Sequence, residues 1–481
     1  MRWAVHPECP CKGRTGSPAD WVESRTVSMM RKLFFDHALL PSGWATDVAI
    51  DVKEGVIRAI HANAASDGRE HIAGIALPGL PNLHSHTFQR GMAGLAEIRG
   101  PEGDSFWTWR QVMYRFLGHL TPDDVEAIAA FAMMEMLEGG FTALAEFHYL
   151  HHDFDGRPYA DLAELSGRIA AAAVETGIGL TLLPVLYAQG GFGGTAPNEG
   201  QRRFVNDVER YLRLVEAARE RVRNLDDAVV GIAPHSLRAV TPEALTQVLA
   251  AVPQSPVHIH VAEQVKEVED CIAWSGRRPV EWLLDHAPVN ARWCLIHATH
   301  LTPDETHRFA RTGAAAGLCP ITEANLGDGI FEGVDFLAAG GSFGVGSDSN
   351  IDIDAPAELR QFEYSQRLKH HARNVLARRE GESTGRALYE GALAGGTRAL
   401  GRQIGALATG HRADIVVLDS AHPDLASISG DRWLDSFVFV AGKAAIDSVI
   451  VSGRSVVTKG RHHRRDAITA RYSGAIARLT A

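Results

Sequence analysis

Short apolar runs recur along the middle of the chain, separated by longer stretches with helical patterning. Eight runs read as strands: Ile75–His86, Thr142–Leu150, Gly179–Ala188, Ala228–Ser236, Pro256–Glu263, Cys294–His300, Ala314–Ile321 and Ser342–Asn350. The helical stretches between them include Pro122–Leu137, Tyr159–Glu175, Pro242–Val252 and Pro303–Arg311. Several open on Thr-Pro or Asp, which suit the cap and first turn of a helix. Strand followed by helix, eight times over, predicts an α/β fold, a closed parallel (β/α)8 barrel of the TIM type.

The pattern differs at both ends. From Leu33 to Ile60, β-rich runs (Leu33–Leu40, Asp47–Val52, Val56–Ile60) alternate with the turns Pro41-Ser42-Gly43 and Glu54-Gly55. The same texture returns over Asp414–Leu418, Ala445–Val451 and Ser455–Val457. These flanks are expected to meet as a small β-sandwich outside the barrel. The division that follows is a tail over 1–30, sandwich parts over 31–74 and 403–462, the barrel over 75–402, and a C-terminal segment over 463–481. Two further helical stretches, Ala357–Ala377 and Thr384–Leu400, should pack beside the barrel. Gly190-Gly191-Phe192-Gly193-Gly194 lacks the spacing of a phosphate-binding fingerprint and reads as a mobile active-site loop.

Of the 481 residues, 45% are hydrophobic and 22% charged, enough apolar material for a large core, so global disorder is excluded. The net charge of −10 argues against a general nucleic-acid or acidic-membrane binder. Five cysteines cannot build a disulfide framework; Cys9 and Cys11 form a lone pair with no counterpart, and the others read as buried thiols. No run approaches the roughly 18–20 uninterrupted apolar residues of a membrane span. The first residues carry Asp20 and Glu23 and do not read as a secretory signal. A cytoplasmic homodimer with neither nucleic-acid nor membrane partners is the expectation.

In a parallel barrel the C-terminal strand ends share one mouth, where catalytic side chains gather. The first run ends His84-Ser85-His86, whose histidines at i and i+2 point the same way. The fifth ends His258-Ile259-His260-Val261-Ala262-Glu263, the sixth holds His297, and the eighth ends Gly346-Ser347-Asp348. Taken singly, Glu263 could be a helix-start acid, Asp348 a turn former and His297 a core histidine. Their shared position at successive strand ends is what separates them from accident. Three histidines and an aspartate converging there make an N/O site for a borderline divalent cation such as zinc, with one position open to water.

The segments Leu77-Pro78-Gly79-Leu80-Pro81-Asn82-Leu83-His84-Ser85-His86, His260-Val261-Ala262-Glu263, Ile296-His297-Ala298 and Gly346-Ser347-Asp348 resemble the metal-site motifs of the amidohydrolase superfamily. The stretch from Ile404 to Val417 is similar to that superfamily's return into its β-sandwich. Within it, His84–Gly94, Phe106–Tyr114, Glu146–Tyr149, Leu182–Tyr187 and Ala233–Val240 resemble the formimidoylglutamate deiminases. Those enzymes of histidine degradation convert N-formimino-glutamate to N-formyl-glutamate and ammonia. The resemblance implies one divalent metal per chain, zinc as first choice, held by His84, His86, His260 and Asp348. It implies that Glu263, His297 and Asp348 move protons, and that Gln89, Arg110, Tyr149, His235 and Arg238 contact a small dianionic substrate.

The residue types suit that chemistry. Zinc lowers the pKa of water from 15.7 to about 7, a carboxylate and an imidazole can relay its protons, and arginine is a bidentate partner for carboxylates. No lysine occurs between Lys53 and Lys266, so no strand before the fifth can supply a carbamylated lysine bridging two metals. Glu146, at the second strand's end, is the alternative bridge. Two other functions share parts of this pattern: a deaminase of aminated rings such as guanine or a triazine, and a barrel scaffold without catalysis.

Overall fold

The computed structural model describes residues 30–100 and 103–481. The expectations for the N-terminal tail, including Cys9 and Cys11, lie outside the described residues. The chain opens with β1 (Arg31–Leu40), β2 (Gly43–Lys53), β3 (Val56–His61) and β4 (Glu70–Pro78). Nine strands follow in the middle: β5 (Leu80–Ser85), β6 (Phe141–His148), β7 (Gly179–Leu186), β8 (Val229–Val230), β9 (Ala233–Pro234), β10 (Val257–Val261), β11 (Trp293–His297), β12 (Ala315–Leu318) and β13 (Ser342–Val345). The last four are β14 (Ile415–Leu418), β15 (Ile446–Val451), β16 (Arg454–Thr458) and β17 (Arg461–His462).

The middle strands pair in parallel as two arcs, β5-β6-β7-β8 with β9 also on β7, and β10-β11-β12-β13. Bridges at Ile232–Val257 and Ser236–His260 join the arcs on one side, and Ser85–Asp348 joins them on the other. These pairings close a ring of parallel strands in the predicted order. The fourth run is interrupted, so that its place is shared by β8 and β9.

Helices with strong start signals fill the crossovers. Thr121, Thr241 and Thr302 each accept a backbone N–H from the first turn of the helix they precede, with proline at its first position. The helices run Pro122–Glu138, Pro242–Ala251 and Pro303–Arg311, and each turns its apolar face onto the ring. Thr384–Leu400 ends with its carbonyls aimed into the ring: Thr181 Oγ1 donates to the Leu400 carbonyl at 2.9 Å, and His258 Nε2 to that of Ala399 at 2.9 Å. Those are carbonyls a helix C-terminus leaves without internal partners.

Both chain ends build one mixed sheet, in the order β17-β16-β15-β14-β4-β1-β2-β3. The two layers expected of a sandwich are therefore hydrogen-bonded into a single curled sheet. It wraps a small core of its own that includes Leu33, Phe35, Val48, Ile50, Ile415, Val417 and Ile450. The first predicted run, 75–86, is divided at Gly79: its opening residues belong to β4 in this sheet and the rest to β5 in the ring. A Cβ at Gly79 would sit 2.2 Å from the Thr142 side chain, so only glycine lets the chain pass so closely from one sheet to the other. The C-terminal segment forms a helix, Arg465–Leu479, whose Tyr472 ring stacks on Phe131 with centroids 3.9 Å apart.

Candidate metal centre and active site

The end of β5 brings His84 and His86 to one mouth of the ring, β10 brings His260, and the turn after β13 brings Asp348. One ligand atom from each lies within 4.8 Å of all the others, and all four residues are buried. His84 Nε2 stands 3.1 Å from His260 Nε2 and 3.4 Å from Asp348 Oδ1, and His86 Nε2 is 3.3 Å from the same oxygen. The second nitrogens of two rings are occupied: His86 Nδ1 donates to the Phe147 carbonyl at 2.9 Å and His260 Nδ1 to that of His235 at 3.0 Å. Those bonds leave the Nε2 lone pairs aimed at the common point.

Burial pushes His84 down to about 3 and holds His86 and His260 below the ordinary histidine range, so the rings are neutral near pH 7. Burial alone would raise Asp348, but the hydrogen bond from His84 and the charge of His297 outweigh it and keep the carboxylate ionised. Three neutral imidazoles and a carboxylate around one point match the donor set of a divalent cation site. A second grouping, His297, Cys319 and Asp348, also converges. Burial holds the Cys319 thiol well above its usual range, so it keeps its proton and is the poorer ligand.

Glu146 does not join the cluster. Its Oε1 accepts hydrogen bonds from Thr87 N–H at 2.9 Å and Thr87 Oγ1 at 2.7 Å, tying β6 to the chain after β5, and burial raises it to about 8. No metal-binding group among the described residues includes it.

The backbone at this mouth is strained. Ala262 (φ 52°), His297 (φ 64°) and Asp348 (φ 42°) are non-glycine residues in the left-handed region, which costs about 1–3 kcal/mol each where it is held. A buried polar staple holds the seam between β13 and β5. Asn82 Nδ2 donates to Ser347 Oγ at 2.6 Å, and Ser347 Oγ donates to Asn350 Oδ1 at 2.7 Å. Asn350 Nδ2 in turn donates to the carbonyls of His86 and Asp348 at 3.1 and 2.9 Å. Gly346 is part of the same fit, since a Cβ there would lie 2.6 Å from the His84 carbonyl oxygen.

Beside the cluster, His297 Nε2 faces Glu263 Oε1 at 3.8 Å and Asp348 Oδ2 at 3.9 Å. Burial would depress His297, but Glu263, the hydrogen bond to Glu323 and Asp348 together raise it to about 10. Burial raises Glu263, against the opposing charges of His297 and Arg238. Arg238 is buried, not a surface ion pair: Nη2 is 3.5 Å from Glu263 and Nε is 3.8 Å from Glu267. Glu267 accepts the backbone N–H groups of Ala262 and Glu263 at 3.3 and 3.1 Å, which sets the turn that carries Glu263.

His86, His260, Glu263, His297 and Asp348 open into one cavity, and Gln89, Arg110, Tyr149, His235 and Arg238 line it too. His84 lies behind them with no exposed surface. Gln89 Nε2 donates to Tyr149 Oη at 2.9 Å, while its Oε1 is buried without a partner. Arg110 lies over the rings of Trp107 and Tyr114 at 5.1 and 5.3 Å. Tyr187, Phe204, Trp109 and Leu326 also form part of the wall and escaped the sequence reading, because apolar and aromatic residues there carry the same signal as core. Glu323 and Glu267 escaped it as well. The glycine loop 190–194 does not line the cavity; Phe192 stacks on Trp274 with centroids 5.4 Å apart and holds it aside.

Residues 75–456, which carry every group of this centre, match the amidohydrolase family. The chain belongs to that family. Residues 30–73 match the N-terminal domain of the formimidoylglutamate deiminase HutF. Over 435 residues, 90% of this chain and 96% of the relative, the amidohydrolase is 54% identical to a formimidoylglutamate deiminase of Pseudomonas aeruginosa. An 8-oxoguanine deaminase of the same organism is 28% identical over 85% of this chain and 88% of its own length. Among solved structures, an amidohydrolase from Brucella melitensis superposes with a TM-score of 0.90 at 55% identity, covering 94% of this chain and all of that one (100%). An adenosine deaminase from Xanthomonas campestris with bound zinc shares the fold at a TM-score of 0.78 and 21% identity, covering 93% and 98%.

Proposed function

We propose that this amidohydrolase hydrolyses N-formimino-L-glutamate to N-formyl-L-glutamate and ammonia, as part of histidine degradation. The observation that carries the reading is one cavity that opens onto a His3Asp cluster, with Glu263 and His297 at its edge, and is lined by two arginines, Arg110 and Arg238. The 54% identity to a formimidoylglutamate deiminase supports it.

His84, His86, His260 and Asp348 would hold one divalent cation, with zinc as first choice for such a borderline imidazole and carboxylate set. When bound, it supplies the Lewis acidity that lets water ionise near neutral pH. Asp348 and His297 flank the place of the attacking water, and Asp348 accepts its proton. Glu263, raised by burial, donates one proton to the imino nitrogen and Asp348 passes on the one taken from water, so that the nitrogen leaves as ammonia when the C–N bond breaks; the hydroxyl proton of the adduct returns to Glu263 and the water oxygen becomes the formyl oxygen. Arg110 and Arg238 are assigned to the two substrate carboxylates, with Gln89, Tyr149 and His235 around the formimino group.

A ring deaminase would use the same cluster but needs amide-type edge contacts; two cationic side chains in one cavity favour a dianion. The test is ammonia release from N-formimino-L-glutamate beside guanine and a formamidine without carboxylates. Turnover of the first alone is expected; preferred turnover of guanine would overturn the assignment.

A further inference from the structure

His297 presents two nitrogens to different surroundings. Nε2 faces the gap between Glu263 and Asp348, and Nδ1 faces Glu323 Oε1 at 3.2 Å. Glu323 is buried and stands on the short helix Pro320–Leu326 that follows β12. That helix is tied down from several sides. The same Glu323 Oε1 accepts the Cys319 N–H at 2.9 Å, and Glu323 N–H donates to the Cys319 carbonyl at 2.8 Å. Thr322 Oγ1 donates to the Ser347 carbonyl at 3.3 Å, linking the helix to the turn that bears Asp348.

We infer that Glu323 is a positioning residue for His297: it holds the ring by Nδ1–H so that Nε2 points at the gap where water and substrate react. His297 is a non-glycine residue at φ 64°, at the centre of a tight turn closed by the Ala298 N–H on the Ile296 carbonyl at 2.9 Å, and a ring on such a backbone needs an external anchor to keep one orientation. A carboxylate fixed by main-chain bonds is such an anchor, because its own oxygen cannot swing away with the ring. The bland alternative is that Glu323 only caps the Cys319 N–H and that its approach to His297 is incidental. The two readings make different predictions about coupling between the residues.

The inference rests on the proposed reaction, and the controls keep the two apart. Metal content, kcat and KM are measured for Glu323→Gln, Glu323→Ala, His297→Ala and the Glu323→Ala/His297→Ala pair, with N-formimino-L-glutamate. Glu323→Gln keeps an acceptor oxygen for both donors and should stay within about tenfold of the parent. Glu323→Ala should lose roughly 10²-fold in kcat, with KM within a few-fold and the metal retained. Adding it to His297→Ala should cost almost nothing, because groups that act as one unit are not additive. An equal loss in both backgrounds would make Glu323 a structural cap and overturn the inference. A parent that releases no ammonia would sink the reaction assignment instead. Proton NMR then decides the positioning claim without turnover: a downfield His297 Nδ1–H resonance present in the parent and absent from Glu323→Ala supports it, and one unchanged in that variant overturns it.

Discussion

At the scale of single residues, the cavity is a place where burial and charge set protonation. Glu263 is raised by burial while His297 beside it is held protonated by carboxylates, so each keeps its proton to higher pH than the free side chain would. Glu263→Gln should keep the metal and the fold yet lose roughly two to four orders of magnitude in kcat, the usual worth of a positioned general acid. Near-normal turnover with metal bound would remove Glu263 from the reaction. The two arginines should behave differently from one another. Arg110 is half-buried over aromatic rings, and Arg110→Met should act on KM, by about 10–100-fold for a lost charged hydrogen bond. Arg238 also neutralises Glu263 and Glu267 in the interior. Arg238→Met should therefore lower stability, by about 3–5 kcal/mol for a buried pair broken on one side, as well as weaken substrate binding. Melting curves beside steady-state kinetics on N-formimino-L-glutamate and N-formimino-glycine distinguish the two arginines.

At the scale of elements, the centre depends on the seam between β13 and β5, where ladder pairing is reduced to the single bridge Ser85–Asp348. Side-chain hydrogen bonds from Asn82, Ser347 and Asn350 take over there. Gly346→Ala pushes a methyl against the His84 carbonyl and should cost about 1–3 kcal/mol, with metal affinity falling because His84 and Asp348 are displaced together. The comparison is metal retained after dialysis; full retention with an unchanged melting temperature would show that the seam is loose. Much of this level was legible. The cap residues Thr121, Thr241 and Thr302 mark helix starts that the structure reproduces at Pro122, Pro242 and Pro303. The division of the run 75–86 was not legible, because both halves are buried and only the pairing partners differ.

At the scale of the whole molecule, the ring and its ligands should melt as a unit with the metal. About one divalent ion per chain is expected by elemental analysis, and a chelator should lower the melting temperature together with activity. Two tightly held ions would return Glu146 to consideration as a bridge. The metal-free protein should also lose stability in mild acid. Burial holds His148 down to about 3 and His258 down to about 4, whereas an unfolded histidine takes up a proton below about 6.5. The unfolded chain thus binds more protons between those values, and stability falls as pH drops from about 6.5. Glu146, raised to about 8, opposes this in the other direction: the folded state holds its proton longer, so that contribution disappears as pH rises through 8. Below pH 6 two histidines oppose one glutamate, so thermal melts of the metal-free protein at pH 6 and 4.5 should show a net acid loss; stability that rises over that interval would mean that these histidines are hydrated.

Order along the chain determined the strand and helix succession, the gathering of His84, His86, His260, Glu263, His297 and Asp348 at successive strand ends, and the family motifs around them. These are local or periodic properties, carried by side-chain alternation, cap chemistry and residue type. Only the tertiary structure decided which neighbours complete the site. Glu323 meets His297 from 26 positions further along, and Asn82 meets Ser347 across 265. Neither separation has a period that a sequence pattern could register. The same holds for Glu146, whose place beside Thr87 removes it from the metal cluster, and for the flanking strands, which join into one curled sheet through pairings between opposite chain ends. Burial decided the rest. Whether a carboxyl or an imidazole is charged depends on how much water and which charges surround it, and that is fixed only when distant segments pack.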